Sequence, residues 1–339
     1  MKENSKSLNE QCCQKVSSGG VLRTLVWGGA IVGAASLTNA LIFARAPKIG
    51  NRLGGTFERY PSRHGDVAYT VHGTGSPLLL LHGFGAGNSS AEWERNIDEL
   101  AQRHTVYALD FLGWGLSDRY RHFHTAEDYM EVILNFLHDV VGESCVVAAS
   151  SQSATLAVIA AAREPQNFAA LVLVNPAIGS ETETPSVQSQ VLHKVLSLPV
   201  LGTSVYNYIA SRRGIEKFSH DHLFFDKSQV DESLVSRYHA AAHQTDAQYG
   251  VYSFLAGAFD LDARDAWSSL TIPALLVWGR NARIDGLETA PEWLALKPDA
   301  KLAVIDNAML LPHHEHPQQF NTLMLDWIAG AVSVQAVTA

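Results

Sequence analysis

Three serines close an apolar run, Cys145-Val146-Val147-Ala148-Ala149-Ser150-Ser151-Gln152-Ser153. The run reads as a buried strand, and Ala154-Thr155-Leu156-Ala157-Val158-Ile159-Ala160-Ala161 after it reads as a helix of small residues. A serine on a tight strand-to-helix turn is held exposed above the sheet, and its neighbours must be small because the backbones approach closely. The spacing follows G-x-S-x-G with Ala149 and Ser153 in place of the glycines, which makes Ser151 the expected nucleophile. The register of strand and helix disfavours Ser150 and Ser153. A second turn, His82-Gly83-Phe84-Gly85-Ala86-Gly87, follows four leucines. Such a turn can aim a backbone N–H into a site. The N–H groups of Phe84 and Gln152 together would form an oxyanion hole.

Both turns need a sheet beneath them. Short apolar runs alternate with helical patterns, which argues for a mostly parallel sheet covered by helices on both faces. Strands are expected at Val67–His72, Pro77–Leu81, Thr105–Asp110, Cys145–Ala149, Ala170–Asn175, Ala274–Trp278 and Lys301–Ile305. Helices are expected near Ala91–Arg103, Ala126–Val141, Ser153–Arg163, Leu287–Leu296 and Pro317–Ile328. The long stretch between Asn175 and Ala274 has no clear strand, and a structureless loop of that length is improbable. Its apolar residues recur at helical spacing (Val191, Leu192, Val195, Leu196; Val205, Tyr206, Tyr208, Ile209), so it reads as a helical insertion.

Strand order, late insertion and local motifs over about residues 60–330 resemble the α/β-hydrolase superfamily, nearest its single-domain esterase, epoxide-hydrolase-like and pheophytinase-like members. Asp110-Phe111-Leu112-Gly113-Trp114-Gly115-Leu116-Ser117-Asp118 is similar to the family's D-x-x-G-x-G-x-S-D segment, and Leu311-Pro312-His313-His314-Glu315-His316-Pro317 is similar to its H-x-P-H-x-E-x-P stretch. In the former, Asp110 and Ser117 are expected to tie loops rather than react. The resemblance implies a doubly wound α/β sheet of about eight strands with a helical cap inserted after strand six. The core would take residues 60–176 and 266–332 and the cap 177–265.

Two catalytic positions depart from the family pattern. The acid is expected after Trp278-Gly279, where Ala282 stands, and the nearest carboxylate is Asp285. The alternative acid position, after strand six, holds Asn175. The histidine is expected after Ala308-Met309, where Leu310 stands, and His313 lies three residues on. Neither Ala282 nor Leu310 can move a proton, and loss of a triad base costs about 10⁶ in kcat. Three routes stay open: His313 as base with Asp285 as acid, a cap histidine (His193, His220, His222, His239 or His243) reaching down to Ser151, or a binding protein that keeps the pocket without turnover. The reading leans to a serine hydrolase acting on an ester or related bond of a small apolar molecule, with a catalytically degenerate, ligand-binding protein as its alternative.

Composition narrows the classes. With 47% apolar and 17% charged residues the chain is globular, not disordered. A net charge of −9 argues against a nucleic-acid partner. The fifteen histidines show no zinc-ligand spacing, so no metal or cofactor is expected, the His313–His316 cluster included. Cys145 is expected in the core. Cys12 and Cys13 read as exposed thiols or as sites for a lipid chain.

Residues 1–24 form a polar tail, 25–44 a charge-free hydrophobic segment and 45–59 a linker. Twenty helical residues span about 30 Å, the hydrocarbon thickness. The first expectation is therefore a membrane anchor through residues 25–44. A cleaved export signal and a peripheral helix are the alternatives.

Overall fold

The computed structural model describes residues 18–179 and 187–338. Cys12 and Cys13 lie outside them, as does the side chain of His193. The strands are β1 (Thr56–Ser62), β2 (Gly65–His72), β3 (Ser76–Leu81), β4 (His104–Leu109), β5 (Cys145–Ser150), β6 (Phe168–Val174), β7 (Ala274–Gly279) and β8 (Lys301–Ile305). They form one eight-stranded sheet in the order β1-β2-β4-β3-β5-β6-β7-β8. β1 and β2 run antiparallel at one edge, and all strands from β4 to β8 along the sheet are parallel.

Burial follows from this pairing. The central strands are covered on both faces, so β3, β5, β6 and β7 are almost wholly apolar. Alternate residues of one strand serve different cores. Leu79 and Leu81 pack with Phe136 and Trp278 on one face, whereas Leu78 and Leu80 pack with Trp93 and Phe320 on the other. Cys145 is buried as expected, and that burial raises its thiol pKa.

The helices are α1 (Ser18–Arg45), α2 (Ile97–Leu100), α3 (Ala126–Phe136), α4 (Gln152–Arg163), α5 (Val187–Leu196), α6 (Pro199–Ile209), α7 (Arg212–Phe218), α8 (Glu232–Ala242), α9 (Gln248–Leu255), α10 (Arg264–Ser269), α11 (Ala290–Leu296), α12 (Pro312–Glu315) and α13 (Pro317–Thr338). Helices α5 to α9 fill the β6–β7 connection, so the helical insertion is present. Two expectations change. The stretch 91–103 is no continuous helix but a 3₁₀ turn, Ser90–Trp93, followed by the single turn α2. β1 begins at Thr56, inside the segment expected to be linker, because its backbone completes the β2 edge from Thr56↔Val71 to Ser62↔Gly65.

The N-terminal segment also corrects the first reading. Among the described residues no helix is long and apolar enough to cross a membrane, so the expected anchor is not found. The polar Asn39, near the end of α1, is buried. Its amide donates to Val200 O and Ser204 Oγ at 3.1 Å each, and its Oδ1 accepts from Asn207 Nδ2 at 2.9 Å, all on α6. Phe43 stacks on Tyr206 with ring centroids 6.3 Å apart. The last two turns of α1 are thus committed to the insertion by hydrogen bonds that a lipid-facing helix would have no use for.

Candidate functional site

Ser151 is the first residue after β5 and the N-cap of α4. Its backbone stands at φ 55° and ψ −129°, a conformation that side-chain-bearing residues rarely adopt and that costs on the order of 1–3 kcal/mol. The surroundings enforce it. Ser151 N–H donates to Val174 O at 2.8 Å, continuing the β5–β6 ladder into the turn. Ser153 Oγ, at the second glycine position, accepts from Ser150 N–H at 3.1 Å and donates to Ser150 O at 2.8 Å. The Gln152 side chain donates to Phe259 O at 2.8 Å and ties the turn to the insertion. The turn therefore stands without either glycine of the usual pattern because Ser153 uses its hydroxyl to brace it.

The Gly83–Phe84 turn lies beside this serine. A Cβ placed on Gly83 would stand 3.6 Å from Ser151 Cβ and 3.6 Å from Glu92 Oε2. The backbone N–H groups of Phe84 and Gln152 meet no acceptor among the described residues, as an oxyanion hole requires of its donors. The Phe84 ring is buried among Phe111, Trp114, Tyr129 and Phe259. Asp110 ties loops as expected, accepting from Ser90 N–H (2.6 Å) and Leu116 N–H (2.7 Å). Ser117 Oγ donates to Asp110 O and accepts from Ala68 N–H.

On the β7–β8 side the expected groups part company. Past β8, Leu310 is buried with Leu223, Phe224, Leu234 and Leu311 in an apolar cluster. Its N–H reaches His222 O of the insertion at 3.4 Å. The chain then turns into α12, which carries His313 inward to complete burial, its ring stacked 4.2 Å from Trp93. His313 Nε2 lies 3.2 Å from Glu92 Oε1, off the line of a hydrogen bond. Asp285 is elsewhere. Its backbone carbonyl accepts from Trp278 Nε1 at 2.8 Å, and its carboxyl is raised to about 6 by burial, then by the charges of Asp260 and Glu288. The expected His313–Asp285 couple is thus not assembled, because the loop after β7 carries Asp285 toward the insertion while α12 turns His313 under Trp93.

Asn175 fills the other acid position. At φ 41° it donates to Met309 O (3.2 Å) and Leu310 O (2.9 Å) and accepts from Gly279 N–H (3.2 Å). An amide can do both at once, which an ionised carboxylate cannot. It staples the ends of β6, β7 and β8 together where an acid would otherwise stand. Gly279 is required there, since a Cβ on it would lie 2.0 Å from Met309 O.

The residue the sequence reading passed over is Glu92. It is buried, and its Oε2 accepts from Gly83 N–H at 3.1 Å. Burial alone would raise its pKa, but the nearby His313 ring, with the Ser150 hydroxyl, outweighs it and holds the carboxyl below its ordinary value. The available signal was a carboxylate beside Trp93 in a turn that buries its neighbours. Of the cap histidines, His239 and His243 lean on each other with ring centroids 4.2 Å apart, and His222 lies over Leu310. No imidazole among the described residues hydrogen-bonds Ser151.

A cavity of about 320 Å³ is lined in part by Gly87, Ser89, Ser90 and Glu92 of the loop after β3. Residues 47–53, Tyr69, Tyr238 and His314 also line it, and Ser151 does not.

Comparison with known proteins bears on the family and the fold. The chain is 27% identical over 282 residues to a 2-hydroxy-6-oxononadienedioate/2-hydroxy-6-oxononatrienedioate hydrolase of Pseudomonas putida, covering 78% of this chain and 94% of that one. It is 25% identical over 260 residues to the pimeloyl-[acyl-carrier protein] methyl ester esterase of Aeromonas hydrophila, covering 75% and 96%. The solved meta-cleavage product hydrolase of Pseudomonas fluorescens superposes with a TM-score of 0.69 at 20% identity, over 83% of this chain and all of that one. The named relatives, a hydrolase and an esterase, support a hydrolase. The profile described as the Alpha/beta hydrolase family matches residues 78–323, and the chain belongs to that family.

Proposed function

We propose that the protein is a serine hydrolase acting on an ester or related acyl bond of a small apolar substrate. The observation that carries this is the Ser151 turn, held in a strained backbone conformation beside two unengaged N–H groups, those of Phe84 and Gln152. Ser151 Oγ attacks the acyl carbon, its proton passes to a base, and the carbonyl oxygen takes the negative charge facing the two N–H groups. The adduct collapses as the bond to the leaving alcohol breaks and the base returns its proton to that oxygen; water, deprotonated by the same base, then hydrolyses the acyl-enzyme and frees Ser151. In this reading His313 is the base and Glu92, not Asp285, is its carboxylate, which the 3.2 Å contact supports. The contact between His313 and Ser151 would close only with substrate in place, as catalytic hydrogen bonds often do. The relatives include a methyl ester esterase, in keeping with an acyl substrate.

A second reading, a ligand-binding protein without turnover, is favoured by two observations. Leu310 plugs the usual histidine position with an apolar cluster, and Ser151 does not line the 320 Å³ cavity. A fluorophosphonate probe separates them. Labelling of the wild type that disappears in Ser151→Ala supports the hydrolase. A wild type that takes up no probe sinks it and leaves the binding reading.

A further inference from the structure

The Gly83 residue is gripped from both sides, and the grip reaches the first oxyanion donor. Gly83 N–H donates to Glu92 Oε2 at 3.1 Å. Gly83 O accepts from Asn88 Nδ2 at 3.1 Å and lies 2.7 Å from His82 Nδ1. His82 Nε2 accepts from Phe111 N–H at 3.1 Å, so Nδ1 carries the imidazole proton and donates to Gly83 O. The Gly83 carbonyl and the Phe84 N–H belong to one planar trans peptide and point in opposite directions. Fixing the carbonyl therefore fixes the direction of the Phe84 N–H, the donor left without an acceptor.

We propose that Asn88 and Glu92 are positioning residues which clamp Gly83 and so aim the Phe84 amide at the developing oxyanion. Asn88 holds the peptide plane that contains the donor. Glu92 holds the preceding plane through Oε2, and its Oε1 lies 3.2 Å from His313 Nε2. Neither side chain touches the reacting atoms in this role. The inference rests on Ser151 and Phe84 acting as proposed above, but the clamp itself has a readout that needs no turnover.

The variants are Asn88→Ala, Asn88→Asp, Glu92→Ala and Glu92→Gln, with ¹⁵N-labelled protein for the amides and a fluorophosphonate for the serine. Asn88 is partly exposed, so its variants test the clamp even where Glu92→Ala, which leaves His313 buried without its carboxylate, does not fold. In Asn88→Ala the Phe84 amide resonance shifts, and the rate constant of labelling falls about tenfold while the half-saturating probe concentration barely changes, because the oxyanion contact forms only during attack. Asn88→Asp, which sets an acceptor against the Gly83 carbonyl, falls further. Glu92→Gln keeps a carbonyl for the Gly83 N–H and retains the Gly83 amide's protection from hydrogen exchange, whereas Glu92→Ala loses it. Wild-type labelling rates with unmoved Gly83 and Phe84 amides in Asn88→Asp would overturn the clamp. So would slow labelling with unmoved amides. If the wild type takes up no probe but the amides respond as described, the clamp stands and the hydrolase reading falls.

Discussion

The two halves of the site are built from different materials. On the β3–β5 side the proposed site rests on backbone: the Ser151 turn and the N–H groups of Phe84 and Gln152, with Ser153, Glu92 and Asn88 bonded around them. On the β7–β8 side the family relies on side chains, and here Asn175, Ala282 and Leu310 occupy those places. The first half tolerates substitution, since alanine and serine replace two glycines and the turn still forms. The second half does not, because no rearrangement of Leu310 yields a proton acceptor. The proposed oxyanion geometry can thus persist while proton transfer is relocated or lost.

Predictions sharpen that contrast. The largest effect belongs to Ser151→Ala, which should abolish probe labelling and reduce any ester turnover at least about 10³-fold without lowering the melting temperature. Retained turnover would place the chemistry elsewhere. Asn175→Ala should cost roughly 2–3 kcal/mol in denaturant unfolding, because three backbone groups joining β6, β7 and β8 lose their partner. An unchanged midpoint would show that the staple contributes nothing.

Leu310→His tests the other half directly. An imidazole restored after Ala308-Met309 should raise kcat/KM on a short-chain nitrophenyl ester about tenfold, and Ala282→Asp on the same background should add to it. An unchanged kcat/KM would show that the apolar cluster keeps the new ring away from Ser151 and that proton transfer stays with His313.

The smallest effect concerns Asp285. Its folded pKa is raised to about 6 from 3.8, so the native state holds its proton more tightly than the unfolded chain. Its contribution to stability therefore falls as pH rises from about 4 to 6, and the full penalty is present above that window. Asp285→Asn should stabilise the protein by roughly 1–2 kcal/mol at pH 8, with the gain vanishing below about pH 4. A gain that persists in acid would point to another cause.

Legibility followed the same division. Lys301–Ile305 was bounded correctly and the core strands to within two residues, since strands buried on both faces announce themselves as apolar runs. β1 was missed because Thr56–Ser62 is an exposed edge strand carrying Glu58, Arg59 and Pro61, with no apolar face to show. The turn at Ser151 was legible because a strand-to-helix junction leaves a local signature of small residues. Glu92 was not, since its partners Gly83 and His313 lie nine and 221 residues away in the chain. The charge-free stretch 25–44 read as a membrane segment, but Asn39 and Phe43 find partners on α6 that no local pattern reveals.

By itself the sequence determined the sheet, the helical insertion, the serine turn and the absence of the usual histidine and acid. These are written in residues adjacent along the chain. The tertiary structure alone decided that His313 meets Glu92 rather than Asp285, that Asn175 staples three strands, and that α1 docks on α6. The reason is that a buried polar group must find its partner in space. Which partner it finds depends on how distant segments pack.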